Sequence, residues 1–361
     1  IIAGGSSTLQ ADSQDRLRDG DEVERGYPVL TEDAAGNTVA IVSTDEEYSY
    51  VGRLVVEFDD AGNLLADTID DTVSGAYATD AQGVRDVTGA ATVEEAIAAS
   101  TRADIIDDLT DAVETIVEES DAVTFGNHDV FLDGRRGSVR TEETNLGNLT
   151  ADANLAAARI ADSTVDVSFK NGGGIRAEIG AATDTGETEG DGLLSQLDVQ
   201  NSLRFNNDLI LVTLPTAGFL LMLEHGVAET EDGATPGRFP QIGGFRYSFD
   251  TEGTAQEFVT DEDGNLVVDE GTGLPQVAVE GSRIKTVALI DPETGEDIVI
   301  ARDGVLTEAA PESIRMVTLD FLVETNGDNY PFQELSTDIQ YLTRDGGTTP
   351  DADDPNILEE Q

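Results

Sequence analysis

The clearest candidate for chemistry in the 361-residue sequence is the segment Asn171-Gly-Gly-Gly-Ile-Arg176. Three consecutive glycines cost conformational entropy, so they indicate unusual φ values or a close approach of the backbone to a ligand. An arginine directly after such a loop suits bidentate recognition of a phosphate or a carboxylate. The segment predicts an anion site, and a plain glycine-rich turn with an exposed arginine is the equal alternative.

A second candidate is the polar stretch at residues 139–149, which leads into an alanine-rich helix predicted over 148–161. Asn145 and Asn148 are suitable caps for this helix. The N–H groups of its first turn could then face an anion. The alternative is that the stretch only caps the helix.

Two phenylalanines lie in polar contexts next to loops. Phe205 precedes a predicted apolar strand, and Phe321 precedes a turn that presents Asp328. Two such rings suit the stacking of a flat base, and a carboxylate can accept hydrogen bonds from both hydroxyls of a ribose. The alternative for each ring is packing in the core.

The composition excludes several functional classes. With 20 Lys+Arg against 74 Asp+Glu the formal net charge is −54, and such a surface repels the backbone of DNA or RNA, so we expect no nucleic-acid partner. Without cysteine there is no disulfide, thiol nucleophile or thiolate metal site. No apolar run approaches the roughly 20 residues of a membrane span. The near absence of lysine favours a salt-adapted protein over an acidic secreted one from moderate salt.

The elements that must position these residues are both strands and helices, and we predict a mixed α/β (α+β) fold. The first part is strand-rich, with runs at 38–43 and 52–58 and a hairpin turn at 60–63. A capping box at 92–95 opens one long helix that continues to 119. Further strands are predicted at 130–132, 164–169, 209–214, 246–249, 283–290, 298–301 and 313–319, and a further helix through 219–227.

Together the motifs resemble one family, the secreted or periplasmic 5'-nucleotidases related to UDP-sugar hydrolases and 2',3'-cyclic phosphodiesterases. The motifs occur in the family's order, and they are Thr144-Asn-Leu-Gly-Asn-Leu149 with Ala151-Asp-Ala153, Asn171-Gly-Gly-Gly-Ile-Arg176, Phe239-Pro-Gln241, and Asp320-Phe-Leu322 with Asn326-Gly-Asp328. All lie in what the resemblance implies is the C-terminal, substrate-binding domain. The fold expected is therefore like that domain.

The resemblance also implies roles for individual residues. Arg140 and Arg176 would contact the substrate phosphate, Asn171 the base and Asp328 the ribose hydroxyls. Phe205 and Phe321 would enclose the base. The expected substrate-binding residues are Arg140, Asn171, Gly172, Gly173, Arg176, Phe205, Phe321 and Asp328. The loop from Phe321 to Asp328 is one residue longer than the family pattern, so this sequence departs from the family at the motif that carries Asp328.

The metal chemistry of the family belongs to an N-terminal metallophosphatase domain with two divalent ions. This chain has two histidines, His128 and His225, which cannot furnish that site. We interpret Gly126-Asn-His-Asp129 as a fortuitous match to a metallophosphatase motif, and His225 as a packed or half-exposed histidine. The segment Gly4-Gly-Ser-Ser-Thr8 has no histidine where many members have a metal loop. We expect no metal ligand and no catalytic residue in this chain, and only weak Ca²⁺ or Na⁺ binding, if any, at the acidic loops 59–60 and 261–263.

Together with the resemblance, the sequence predicts residues 1–65 as the end of a metallophosphatase domain, 66–120 as linker and inter-domain helix, 121–345 as the substrate-binding domain and 346–361 as an acidic tail that is ordered only at its surface contacts. We expect further sequence before Ile1 and a secreted, periplasmic or cell-surface location. The predicted function is the nucleotide-binding part of a phosphohydrolase in nucleotide catabolism, inactive without the metal domain. The alternatives are an inactive family member with a surface or assembly role, and a self-sufficient metal enzyme using His128 and Asp129.

Overall fold

A computed structural model describes residues 8–44, 48–182, 188–189, 192–231 and 233–361 of the chain. Most of the Gly4–Thr8 segment lies outside these residues. The chain divides into two compact units, Ile1–Ile116 and Val117–Gln361. Among the described residues, no helix combines the length and the apolar character needed to cross a membrane.

The first unit consists of short hairpins and helices. Its strands are β1 (Val29–Glu32), β2 (Thr38–Ile41), β3 (Tyr50–Arg53), β4 (Glu57–Phe58), β5 (Leu64–Leu65) and β6 (Gly75–Ala78). Its helices are α1 (Ala81–Thr88), α2 (Val93–Ala98) and the beginning of α3 (Thr101–Asp121), with a 3-10 turn at Ala66–Thr68. The antiparallel pairs are β1–β2, β3–β6 and β4–β5. The hairpin turn predicted at 60–63 is confirmed, since it connects β4 and β5.

The single helix predicted from Thr92 to Glu119 is wrong, because the chain forms two helices there. The Thr92 hydroxyl caps α2 by accepting a hydrogen bond from the Glu95 N–H at 3.2 Å. Ser100 then interrupts the run, and its hydroxyl accepts from the Ala103 N–H at 3.4 Å. Serine favours such a cap over a helix interior. The stretch at 66–91 also contains regular structure, namely β6 and α1, where the sequence indicated a linker.

The second unit contains two larger sheets. Its strands are β7 (Thr124–Asn127), β8 (Val167–Asn171), β9 (Ala181–Ala182), β10 (Thr188–Glu189), β11 (Leu193–Ser195), β12 (Leu209–Pro215), β13 (Pro240–Gly243), β14 (Phe245–Phe249), β15 (Glu257–Phe258), β16 (Val277–Val279), β17 (Ile284–Ile290), β18 (Asp297–Arg302), β19 (Val305–Leu306), β20 (Ser313–Leu319), β21 (Thr337–Leu342) and β22 (Thr348–Thr349). Its helices are α4 (Arg136–Val139), α5 (Asn145–Ala161), α6 (Gln196–Ser202), α7 (Thr216–Val227), α8 (Asp320–Glu324) and α9 (Phe332–Leu335), with 3-10 turns at Gly172–Gly174 and Gly327–Asn329.

A six-stranded sheet of order β13-β8-β20-β12-β21-β22 carries the unit, and a four-stranded sheet has the order β14-β17-β18-β19. In the larger sheet only β8 and β20 pair in parallel. Strand β12 is a continuous apolar run that is buried through most of its length, as expected for a central strand. Helices α5 and α7 pack on this sheet. The mixed α/β fold class is confirmed.

Two local predictions in this unit differ from the structure. Residues 130–132 form no strand, and only an isolated bridge joins Leu132 to Ile179. The segment at 346–361 is more than a surface tail, since Ile357 is buried in the main core. The side chain of Glu360 is also buried, and it forms an ion pair with the buried Lys170.

Candidate functional site

The glycine segment follows β8, whose five residues are all buried. The Gly172 N–H donates to the Phe239 carbonyl and the Gly173 N–H to the Gly237 carbonyl, both at 2.7 Å. A Cβ on Gly172 would lie 1.9 Å from the Val139 carbonyl oxygen. The close approach predicted for the glycines is therefore made to other parts of the protein's own backbone. It places the backbone near residues 139 and 237 against the end of β8.

Arg140 follows α4 and is buried, with 8% of its surface exposed. Its Nη1 donates to the Thr235 carbonyl at 3.3 Å, while its Nε has no partner among the described residues. Burial lowers the pKa of Arg140, and the positive charges of Arg136 and Arg176 lower it further, whereas Asp328 raises it. Positive charge is thus concentrated in one place without full compensation.

Arg176 is exposed, and its guanidinium lies against an aromatic ring. Its Nη1 donates to the Gly173 carbonyl at 3.3 Å. Its guanidinium carbon lies 5.6 Å from the centroid of the Phe205 ring, a distance typical of a cation–π contact. This contact joins the glycine segment to the loop before β12.

Asp328 reaches the glycine segment from the other side of the sequence. Its Oδ2 accepts a hydrogen bond from Asn171 Nδ2 at 2.7 Å. Asp328 sits in the left-handed region with φ 54°, and its neighbours Asn326 and Asn329 have φ values of 48° and 59°. Such conformations are tolerated mainly by asparagine and aspartate. His225 also contacts this turn, because its Nε2 lies 3.0 Å from the Asp328 carbonyl oxygen.

The two phenylalanines are exposed, by 59% for Phe205 and 38% for Phe321, so neither ring is packed in the core. Leu209 of β12 pairs with Leu319 of β20. Phe205 comes shortly before that pair and Phe321 shortly after it, so both emerge at the same end of two adjacent strands. The Phe321 ring packs against Gly327, where a Cβ would lie 2.4 Å from the ring.

The structure therefore brings the predicted residues into one connected group at the ends of β8, β12 and β20. We call this group the candidate site, and it consists of Arg140, Asn171, Gly172, Gly173, Arg176, Phe205, Phe321 and Asp328. Their roles in binding a ligand stay a prediction.

Comparison with known proteins identifies a family that is related to the second unit. Residues 117–291 match the family model of the 5'-nucleotidase C-terminal domain. This segment of the chain belongs to the 5'-nucleotidase C-terminal-domain family. The resemblance inferred from the motifs is confirmed.

Individual relatives agree with this family. The chain is 41% identical over 124 residues to the trifunctional nucleotide phosphoesterase protein YfkN of Bacillus subtilis (strain 168), covering 34% of this chain and 8% of that protein. It is 26% identical over 235 residues to the 5'-nucleotidase of Homo sapiens, covering 63% of this chain and 36% of the relative. The chain thus matches only part of the length of these relatives.

A solved structure shares the fold. The crystal structure of a 5'-nucleotidase precursor from Thermus thermophilus has a TM-score of 0.56 and 24% identity to the chain. The match covers 96% of this chain and 54% of that one. The fold of the present chain is therefore one that a 5'-nucleotidase structure contains.

The start of α5 in this 5'-nucleotidase domain differs from the prediction. Thr144 is the cap, since its hydroxyl accepts from the Gly147 N–H at 3.0 Å. Asn145 instead holds the preceding loop, accepting from the Asp133 N–H at 2.8 Å and donating to the Phe131 carbonyl at 2.7 Å. Asn148 donates to Glu143 at 2.6 Å. The prediction that Asn145 and Asn148 cap α5 is therefore wrong, because each has another partner.

Sequence reasoning gave no role to Gln241, although it lies in a quoted motif. This residue is 1% exposed, and its amide donates to the carbonyls of Val139 and Glu142 at 2.9 and 2.8 Å. It therefore positions the loop that carries Arg140. Arg136 was also missed; its signal is the adjacent arginine pair Arg135-Arg136 just before Arg140 in the sequence.

The two histidines of this 5'-nucleotidase domain lie in different surroundings. His225 is buried, stacks on Phe258 at 5.5 Å and meets Tyr330 edge-on at 4.9 Å, as predicted for a packed histidine. Burial and the charge of Arg238 lower its pKa to about 4. His128 Nδ1 lies 2.9 Å from the Val130 carbonyl oxygen. In the described part of the chain no three His, Asp or Glu residues are grouped to hold a metal ion, so its residues do not fit the family's metal pair.

Proposed function

We propose that the second unit binds a nucleoside or nucleotide as the substrate-binding part of a phosphoric-ester hydrolase of the 5'-nucleotidase family. The observation that carries this proposal is the convergence of Arg140 and Arg176 with the Asn171–Asp328 pair. Residues far apart in the sequence meet there, at the ends of neighbouring strands.

The arginines supply the anion-binding end of the site. Within the described residues, Arg136, Arg140 and Arg176 make no carboxylate ion pair within 4.0 Å, so their charges are available to an external anion. The buried Nε of Arg140 is also unpartnered, which costs free energy unless an external group satisfies it. A phosphate would do so, because its oxygens accept several guanidinium hydrogen bonds.

The other end of the site suits a nucleoside. Asn171 uses its Nδ2 on Asp328, and its buried Oδ1 has no partner among the described residues. That oxygen and the remaining carboxylate oxygen of Asp328 are acceptors for hydroxyl or amino groups. The exposed rings of Phe205 and Phe321 offer stacking surfaces for a base.

Hydrolysis, on this proposal, requires a part in addition to the second unit. Two divalent metal ions activate water and stabilise the developing charge in phosphohydrolases of this type. We propose that a metallophosphatase domain supplies them and that residues 1–65 are its end, 66–120 the segment between the two domains, 121–345 the substrate-binding domain and 346–361 an acidic C-terminal segment. The chain's own residues then bind and orient the phosphate ester. We also propose a secreted, periplasmic or cell-surface location, which fractionation would test.

The proposal is tested with the chain in high salt by ligand-induced thermal shift and by phosphate release. AMP should raise the unfolding temperature of the chain, because a ligand that binds only the native state stabilises it. Arg176→Ala should abolish that shift, whereas Arg246→Ala, an exposed arginine of β14, should leave it unchanged. No phosphate should be released from AMP with or without Mn²⁺. Metal-dependent release by the chain alone would contradict the proposed division of labour.

A second candidate is a family member that has lost catalysis and serves as a cell-surface or assembly subunit. The absence of histidine from Gly4-Gly-Ser-Ser-Thr8 favours it. Assays on the protein as it occurs in its cells distinguish the two candidates. Bound transition metal and hydrolysis of AMP support the hydrolase, and nucleotide binding without either supports the inactive member.

A further inference from the structure

The segment Asn356–Gln361, which the sequence indicated as a surface tail, packs along the loop that carries Phe205. The Leu209 N–H donates to the Leu358 carbonyl at 3.0 Å, and the Glu360 N–H donates to the Asn207 carbonyl at 2.8 Å. The side-chain amide of Gln361 donates to the Leu203 carbonyl at 2.7 Å. Loop 203–209 is therefore fastened to this segment at three points.

A buried ion pair anchors the same segment to β8. Lys170 Nζ contacts Glu360 Oε1, and the two side chains are 0% and 1% exposed. The second oxygen of Glu360 accepts from Asn207 Nδ2 at 3.4 Å. One carboxylate thus connects the residue before Asn171 with a residue two positions after Phe205. Removal of either partner of such a buried pair would leave an uncompensated charge, which is strongly destabilising.

The ring contact described for Phe205 is the guanidinium of Arg176, 5.6 Å from its centroid. Phe205 is 59% exposed, and the next residue, Asn206, has a left-handed φ of 50°. The loop makes one turn of its own, from the Asn206 N–H to the Leu203 carbonyl at 3.1 Å. The direction of the ring therefore depends on the residues that hold the loop from outside.

We propose that Glu360 is a positioning residue for the base-binding side of the candidate site, acting through loop 203–209 on Phe205. The inference rests on the proposed function, because it assumes that Phe205 stacks on a base. Glu360 itself touches no ligand. It keeps the stacking ring in a fixed relation to Asn171, since Lys170 is the neighbour of Asn171 in β8.

The test is a double-mutant cycle between Glu360→Gln and Phe205→Ala, read by calorimetric titration of the chain in high salt. Glu360→Gln should weaken AMP binding by about tenfold, a factor typical of losing one stacking contact. The same substitution should leave the binding of ribose 5-phosphate, which has no base, unchanged. In the Phe205→Ala background, Glu360→Gln should have no further effect on AMP, because coupled residues are not additive.

The matched control is Glu359→Gln, which removes the neighbouring carboxylate from a surface pair with Arg344. It should leave both affinities unchanged. If Glu360→Gln fails to fold, Lys170→Met/Glu360→Met replaces the pair with apolar groups of similar size, which proteins tolerate better than one unpaired charge. Equal losses for AMP and ribose 5-phosphate, or additive effects with Phe205→Ala, would overturn the inference. If the unsubstituted chain does not bind AMP, the proposed function fails instead.

Discussion

The candidate site and the acidic turns on the surface use similar residues in opposite ways. Three turns repeat one pattern, Asp33–Asn37, Asp59–Asn63 and Asp261–Asn265, and in each the aspartate accepts hydrogen bonds from backbone and side-chain groups of its own turn. These bonds lower the pKa of each aspartate. The exposed carboxylates of these three aspartates therefore already have hydrogen-bond partners within their own turns.

In the candidate site the polar groups come from distant parts of the chain and are not all satisfied. Asn171 Oδ1 and Arg140 Nε are buried without a partner in the described residues. A turn whose groups satisfy each other stabilises itself, whereas the unpaired groups of the candidate site can still form hydrogen bonds with a ligand. This difference favours solvated charge over a cation site at 261–263 and a ligand at the arginines.

The largest expected effect concerns His225, which contacts the turn that carries Asp328. The pKa of His225 falls from 6.5 to about 4 in the folded chain. A histidine with a lowered folded pKa contributes stability that is complete above pH 6.5 and is lost as the pH falls towards 4. The full effect is about 3 kcal/mol of unfolding free energy.

Urea unfolding of the chain between about pH 7.5 and 4.5 in high salt measures this effect. Comparison with His225→Gln should show a shallower decline for the variant, whereas the control His128→Gln should follow the unsubstituted chain. Equal slopes for His225→Gln and the unsubstituted chain would show that His225 is protonated without cost, contrary to its buried position.

The next effect concerns the anion end. Arg140→Met should weaken AMP binding roughly 30-fold, because a charge-assisted hydrogen bond is lost. It should also raise the unfolding temperature of the ligand-free chain, since burial and the neighbouring arginines disfavour the charged form. Calorimetric titration and thermal unfolding measure the two changes. A variant that loses both affinity and stability would show that Arg140 serves the fold.

A smaller effect is expected at the sugar end. Asp328→Asn keeps the size of the side chain but removes the carboxylate, and it should weaken adenosine and AMP by about tenfold. Inorganic phosphate should bind as before, because the arginines are untouched. Titration with the three ligands measures the pattern, and an equal loss for phosphate would show that Asp328 acts by orienting Arg140.

The smallest effect is expected in the surface turns. Asp261→Ala removes the acceptor of the turn at Asn265 but should change the Kd for AMP by less than about twofold. Titration with Ca²⁺ should show no saturable site that this substitution removes. A stoichiometric Ca²⁺ site lost in Asp261→Ala would contradict the contrast between the turns and the candidate site.

The sequence predicted those features that depend on local pattern. The apolar run of β12 and the helix through 219–227 are where the pattern indicated, and the motifs identified the family. The grouping of Arg140, Arg176 and Asp328 was predicted more from the resemblance to the family than from the periodicity of the sequence. The long-range partners could not be read from the sequence. The sequence around Lys170 does not indicate that its partner is Glu360, 190 residues later.

The errors have physical reasons of the same kind. Asn145 has the chemistry of a cap, but the loop at Phe131 and Asp133 competes for its amide, and Thr144 takes the cap position. Ser100 divides the helix that apolar spacing extended through it. The glycines were compatible with a ligand or with a plain turn, and the close approach at Gly172 and Gly173 is made to the backbone at Val139 and Gly237. In each case a tertiary contact or a local cap decided between options that the sequence pattern left open.

A crystal structure of the chain with AMP tests the central claim most directly. The account predicts the phosphate within hydrogen-bond distance of Arg140 and Arg176, the ribose on Asp328 and the base against Phe205. AMP bound elsewhere, for example in the groove beside Tyr247 and Phe249, with Arg140 Nε still unpartnered, would contradict it.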